Sequence, residues 1–558
     1  MSTLFPREFQ IQFDQRVPMR DGITLSADIY MPVLASEQVD RRPVILLRTP
    51  YMKSGVNLES AKNFVRQGYI YVVMDVRGRG DSDGEFVPYF NEGQDGYDAV
   101  EWCASQSWSD GNVGTLGASY EGRIQWLTAI EQPPHLRTMI VLVTPSDPFV
   151  ETPTGTPGPL HLCWLHFVSS RSLQAVEAVP WDYVYQHLPL SEMDKRVGRF
   201  ISAWHTEFEH TQLDDYWLRL CYQTRFEQVQ VPVLHISGWY DDEQIGTPLN
   251  FIGMTVRGAT EEIRRQQKLL MGPWGHATNR TSQLGKVDFG AQAIIDLRSE
   301  QVRWFDRYLK GDAVDTGAAV RLFVMGENAW RDEQEWPLAR TVWTPFYLHS
   351  QGRANSRFGD GVLAPELPEA GARTDSYWYN PDHATPFITD GTSAQIGGPD
   401  DYAELQSRND VLVYATEPLT EDVEVTGPIK VDLYAASSAP DTDFMAMFID
   451  IWPDGFRQRL CDGMVRARFR EGMQHPSLIE PGKIYHYTID CWNTSQVFKA
   501  GHRICLQIAS SAFPKYDRNH NTGAPLGKTT EFAIAEQRIY HDSEHPSAVV
   551  LPIVPKIV

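Results

Sequence analysis

The sequence predicts an α/β fold: a mostly parallel sheet covered by helices, with an inserted helical cap, followed by a second domain made of β-strands. Three observations predict it. From Arg42 to about Lys310 short apolar runs alternate with helical patterns. Between residues 148 and 230 the alternation gives way to aromatic-rich helical stretches. Beyond about residue 344, short period-two runs follow one another between Gly, Pro, Asp and Ser turns, the texture of a sandwich or jelly roll. At 558 residues the chain is too long for one ordinary core. The expected division is 1–147 and 231–343 for the α/β domain, 148–230 for the cap and 344–558 for the β-domain.

In chain order, PVILLRTPY reads as a buried strand ending at Tyr51. NLESAKNFVRQG follows as a helix with Leu58, Ala61, Phe64 and Val65 on one face, closed by Gly68. YIYVVMDVRGRG is the next strand, and DGYDAVEWCASQ the next helix. In NVGTLGASYEGRIQWLTAI, Val113 to Leu116 reads as a short strand and Tyr120 to Ile130 as a helix, which puts Ser119 at the turn between them. RTMIVLVTPSD precedes the cap segments LHLCWLHF, WDYVYQHL and FISAWHTEFEH. VPVLHISGWYDD and KLLMGPWGH resume the strands, and AQAIIDLRSEQVRWFDRYLKG reads as a long helix with Ile294, Leu297, Val302, Phe305 and Leu309 inward. In the β-domain, IKVDLYA alternates Ile429, Val431 and Leu433 with polar neighbours, and DFMAMFIDIW, KIYHYTID and RICLQIASS are further strands.

The net charge of −22 argues against a nucleic-acid partner. MSTLFPREFQ has no basic start followed by an apolar core, and no apolar run approaches the ~20 residues of a membrane span. The six cysteines are scattered without a C-x-x-C pair and read as buried thiols. A cytoplasmic enzyme without metal or cofactor is expected.

The chemistry centres on GASYEG, residues 117 to 122. A hydrolase nucleophile elbow reads G-x-S-x-G, but here the second glycine comes one place late. The bare string arises by chance in roughly one chain in six of this length; its setting between strand and helix is what gives it weight. Two later strand ends supply an acid, Asp241 in GWYD, and a base, His276 in GPWGH. Ser119, Asp241, His276 is the chain order of an α/β-hydrolase triad.

RTPY, DVRGRGDSDGEF, DGNVGTLGASYEG, GWYD and GPWGH together resemble the serine hydrolase family that includes X-Pro dipeptidyl-peptidases, α-amino-acid ester hydrolases and bacterial cocaine esterase. The likeness covers nearly the whole chain except residues 148–230. That family uses G-x-S-Y-x-G, which accounts for the late glycine. The resemblance implies an α/β-hydrolase domain with a jelly-roll domain after it, a triad of Ser119, Asp241 and His276, and an oxyanion hole formed by the Tyr120 backbone N–H and the Tyr51 phenol. It implies cleavage of a small ester or amide through an acyl-enzyme, with acyl transfer and X-Pro-type exopeptidase activity as alternatives.

For the substrate pocket it points to Asp242 and Glu243. Glu243 stands where the amino-acid ester hydrolases place an acid that binds an ammonium group. Gln244 replaces the acid expected next, and the acid expected near Thr156 and Pro157 is missing. Loop 386–400 is expected to wall the pocket.

Other strings are set aside. Arg79-Gly80-Asp81 lies in a loop after a strand, DSDG lacks the ligands of a calcium loop, and His205 and His210 do not share a helix face. Trp164 and Trp204 read as cap core. A homodimer through the β-domain is compatible with the sequence.

Overall fold

The structure, a computed structural model, describes residues 9–33, 40–55 and 58–556. The first sheet opens with β1 (Phe9–Pro18), β2 (Thr24–Pro32), β3 (Arg42–Thr49) and β4 (Ile70–Asp75). It continues with β5 (Ser109–Ala118), β6 (Leu136–Leu142), β7 (Val233–Gly238) and β8 (Lys268–Gly272). Their spatial order is β1-β2-β4-β3-β5-β6-β7-β8, extended by strands Val320–Val324 and Ala329–Glu333. From β4 across to Val320–Val324 every neighbouring pair is parallel, with antiparallel pairs at both edges.

Parallel strands covered on both faces must be apolar on both faces. β4 is buried at every position. Val44 and Leu46 of β3 join the core on one face and Ile45 and Leu47 the core on the other. Each such side chain contributes about 1.5–3 kcal/mol of burial. Helices α1 (Leu58–Arg66), α2 (Glu92–Ser105) and α3 (Tyr120–Ala129) cover these faces. The chain leaves β3 for β4 on one side and returns to β5 on the other. Ligands bind outside the carboxyl ends of strands at such a reversal, and Tyr51 and Ser119 stand just beyond those ends.

Between β6 and β7 lie short helices, among them α4 (Pro159–Phe167), packed round Trp204. The C-terminal part is an eleven-stranded, predominantly antiparallel sheet system. Its strand Val423–Ser437 buries Ile429, Val431 and Leu433 completely, as their alternation predicts. One apolar cluster runs through both parts, joining Trp239, Tyr240, Leu269 and Phe323 to Ile429, Val431 and Phe444.

Three local expectations are corrected. Leu58 is 41% exposed, because the buried face of α1 is made by Ala61, Phe64 and Val65 alone. Ile294 is 38% exposed, because the helix starts only at Leu297, where the Asp296 carboxylate accepts the Ser299 N–H and caps it. The strand before Ser119 runs from Ser109 to Ala118, longer than Val113 to Leu116.

Candidate active site

Ser119 links β5 to α3 at φ 58°, ψ −125°, a region that costs a non-glycine residue about 1–3 kcal/mol. Its N–H is fixed by the carbonyls of Leu142 and Val143, both at 3.0 Å. The late glycine now has a physical reason. A Cβ on Gly122 would lie 2.4 Å from Thr144 Oγ1 and 3.0 Å from the Leu142 carbonyl, so α3 can approach the end of β6 only there. Glu121, at the usual glycine position, instead faces the cavity. Gly117 makes room for it, since a Cβ there would lie 2.5 Å from Glu121 Cβ. Burial pushes the Glu121 carboxyl up to about 7, against hydrogen bonds from Thr49 and the Ala118 N–H. The Thr49 hydroxyl oxygen also accepts the Tyr51 N–H at 3.0 Å, lacing the elbow to the end of β3.

The Tyr51 phenol oxygen accepts a hydrogen bond from Trp164 Nε1 at 3.1 Å. An indole N–H is only a donor, so this contact leaves the phenol hydrogen available. Burial raises the phenol pKa, which keeps Tyr51 neutral. Trp164, read from sequence as cap core, therefore lines the site; Trp204 is core. The Tyr120 side chain is structural: its hydroxyl donates to Glu92 at 2.7 Å, and its backbone N–H opens α3.

Asp241 and His276 follow β7 and β8. His276 Nδ1 is 2.8 Å from Asp241 Oδ1, and Ser237 Oγ donates to Asp241 Oδ2 at 2.7 Å. The two motifs interlock through their glycines. A Cβ on Gly238 would lie 2.1 Å from the Trp274 carbonyl, and one on Gly272 would lie 2.4 Å from the Trp274 ring. Burial disfavours charge on His276, but the carboxylates of Asp242 and Asp241, then Glu243, outweigh it and raise its pKa well above the usual imidazole value. His276 and Ser119 line one cavity. Among the described residues the hydrogen bonds include the His276–Asp241 link and no Ser119–His276 link; such contacts tighten in the Michaelis complex.

The cavity measures about 870 Å³. Asp242 and Glu243 both line it, and Asp242 Oδ1 and Glu243 Oε2 are buried without a hydrogen-bond partner. Burial pushes Asp242 up to about 6 and raises Glu243 strongly. Gln244 points elsewhere: it is buried and donates to the Asn493 carbonyl at 2.5 Å. Thr156 and Pro157 do line the cavity, and an acid comes instead from Glu151, whose carboxyl burial pushes up to about 7. Of the cavity's cations, Lys515 is held by Asp462 at 2.6 Å and Arg123 lies over the Tyr89 ring. Thr392, Ser393, Ala394 and Ile396 wall one side, so loop 386–400 reaches the site as expected.

Asp241, Asp242 and His276 bring ligand-type atoms within 4.8 Å of one another. His276 Nδ1 is already engaged by Asp241 Oδ1 at 2.8 Å. Arg79 is fully buried and donates to the Pro50 and Val168 carbonyls, so its RGD string presents no surface motif. Asp81 and Asp83 pair with Lys53 and Arg16, and His205 and His210 pair separately with Asp194 and Asp214. Among the described residues no helix is long and apolar enough to cross a membrane.

A serine on a strained strand–helix turn, with acid and base on later strand ends of the same parallel sheet, defines an α/β-type serine hydrolase. Comparison with known proteins agrees. The X-Pro dipeptidyl-peptidase (S15) family profile matches residues 21–278, and that of the X-Pro dipeptidyl-peptidase C-terminal non-catalytic domain matches 312–550. Cocaine esterase of Rhodococcus sp. (strain MB1 Bresler) is 36% identical, over 98% of this chain and 99% of that protein. Among solved structures, an aminopeptidase from a marine sediment Thaumarchaeota archaeon superposes with a TM-score of 0.87 at 26% identity, covering 100% of this chain and 98% of that one. An α-amino acid ester hydrolase superposes equally well, TM-score 0.87 at 25% identity, covering 98% and 97%. The chain belongs to the X-Pro dipeptidyl-peptidase (S15) family of serine hydrolases.

Proposed function

We propose that this serine hydrolase cleaves carboxylic esters of small, bulky acyl groups through an acyl-enzyme on Ser119. His276 takes the Ser119 proton as the hydroxyl attacks the carbonyl carbon. The oxyanion is met by the Tyr120 N–H and the Tyr51 O–H, a donor that brings no charge of its own. His276 passes the proton to the leaving alcohol, and water repeats the sequence to release the acid. Asp241 holds the imidazole tautomer and stabilises its charged form. The observation that carries this reading is the His276–Asp241 contact at 2.8 Å beside a serine held at φ 58° in one cavity. The same reading divides the chain into an α/β-hydrolase domain of 1–147 and 231–343, a cap of 148–230 and a jelly-roll domain from 344.

A second reading is favoured by one observation: Glu243 and Asp242 line the cavity, and each has a buried carboxyl oxygen without a hydrogen-bond partner. A substrate ammonium there would favour the charged form of Glu243, against the burial that raises its pKa. This reading suits acyl transfer from amino-acid esters or cleavage next to a free amino terminus.

The test compares phenylglycine methyl ester with phenylacetic acid methyl ester. Ser119→Ala is expected to abolish both turnover and fluorophosphonate labelling; retained labelling would remove Ser119 as nucleophile. If Glu243 recognises an amine, the wild type prefers the amino ester and Glu243→Gln loses that preference. Equal rates on both esters would leave the plain esterase.

A further inference from the structure

Backbone pairing continues a short way past the ends of β7 and β8. Trp239 N–H donates to the Gly272 carbonyl at 2.9 Å and Tyr240 N–H to the Trp274 carbonyl at 3.0 Å. There it stops, one residue before Asp241 and two before His276. The next rung is a side chain. Gln395, from loop 386–400 of the β-rich part, accepts the His276 N–H on Oε1 at 2.9 Å. Its Nε2 donates to the Tyr240 carbonyl at 3.0 Å and to its own loop at Gly397, 2.7 Å away. One amide therefore grips the peptide next to the acid and the peptide of the base.

The sequence makes room for it. Gly275 has no positive φ to demand a glycine, yet a Cβ there would meet Gln395 Oε1 at 2.0 Å, Cδ at 2.5 Å and Nε2 at 2.7 Å. Its three nearest obstacles all belong to Gln395. The amide lies among Thr392, Ser393, Ala394 and Ile396, which wall the cavity.

We propose that Gln395 is a positioning residue for the reaction: by bridging the Tyr240 carbonyl and the His276 N–H it sets the register of the acid and base loops. The proposal rests on the triad reading above. A register error of an ångström in such a pair costs up to about 100-fold in rate.

The experiment is a cycle of Gln395→Ala, Gly275→Ala and the double variant in the full-length enzyme. Phenylacetic acid methyl ester is the substrate and active sites are titrated with a fluorophosphonate. Gln395→Ala is expected to lower kcat about 10- to 100-fold per titrated site with KM within about threefold. Gly275→Ala is expected to do the same alone by expelling the amide, yet to add no more than about twofold to Gln395→Ala, whose cavity accepts the methyl group. The acid limb of the kcat/KM profile should move to lower pH in Gln395→Ala, as a looser Asp241 contact supports the imidazolium less.

A kcat within twofold of wild type in Gln395→Ala, or effects of the two substitutions that simply multiply, would overturn the proposal. Should Gln395→Ala fail to fold, Gln395→Glu keeps an acceptor for His276 and removes the donor to Tyr240; unchanged kcat there would overturn it equally. If Ser119→Ala still reacts with the fluorophosphonate, the triad reading fails and this proposal falls with it.

Discussion

The two sides of the proposed catalytic apparatus are held by different means. Ser119, Tyr51 and the Tyr120 N–H stand beyond adjacent strands of one parallel sheet, and much of what shapes them is close by: Gly117, Gly122, Thr49 and Glu121. The His276–Asp241 pair hangs on loops past β7 and β8, and the second sheet braces it. Gln395 grips both loops, Gln244 beside Asp241 bonds to Asn493, and the Tyr240 hydroxyl accepts from Gln458 at 2.8 Å. The contrast teaches that a nucleophile elbow is largely a local device, stored as backbone strain within one strand–turn–helix. An acid–base pair on two separate loops needs scaffolding from elsewhere in the chain.

The comparison is broken most severely on the acid–base side. Asp241→Asn should lower kcat about 10⁴-fold by favouring the wrong imidazole tautomer, while KM for a neutral ester moves little. A loss under tenfold in steady-state kinetics would mean that another carboxylate, Asp242 first among them at 3.6 Å from His276 Nδ1, serves the base. On the oxyanion side, Tyr51→Phe should cost about 10²–10³ in kcat. An effect confined to KM would make the phenol a packing group.

The smallest expected effect is a displaced pH profile. His276 has a raised pKa and must be neutral to accept the Ser119 proton, so kcat/KM should rise with pH through a value above the usual imidazole range. Asp242 is the largest of the charges that raise it, so Asp242→Asn should move that limb to lower pH. A limb that stays in place would belong to another group.

The residues of the proposed triad stand out in the sequence because each sits in a short string at a strand end, and a serine, an acid and a base seldom fall at three such ends in that order by chance. Asp242 and Glu243 draw notice in the sequence as neighbours of Asp241, and both line the cavity. Tyr51 needed the family resemblance, since a tyrosine after a strand has no signature of its own. Trp164 and Gln395 escaped because they lie 113 and 119 residues from the groups they touch, and no local pattern encodes such a contact. Glu151 escaped because the family resemblance places an acid near Thr156 and Pro157, a few residues further along. Leu58 and Ile294 were misplaced at helix starts, where periodicity cannot tell whether the first turn has begun.

The apolar cluster that carries Trp239 and Tyr240 into the second sheet also bears on how the enzyme ages in use. These two residues lead directly into Asp241, so loosening the β-rich part is expected to release the acid loop before β5 and α3 lose their shape. Inactivation by heat should then track the melting of the part that does no chemistry. The shelf life of the catalyst becomes a property of its C-terminal part, and selection for durability would act on residues far from any bond that is made or broken.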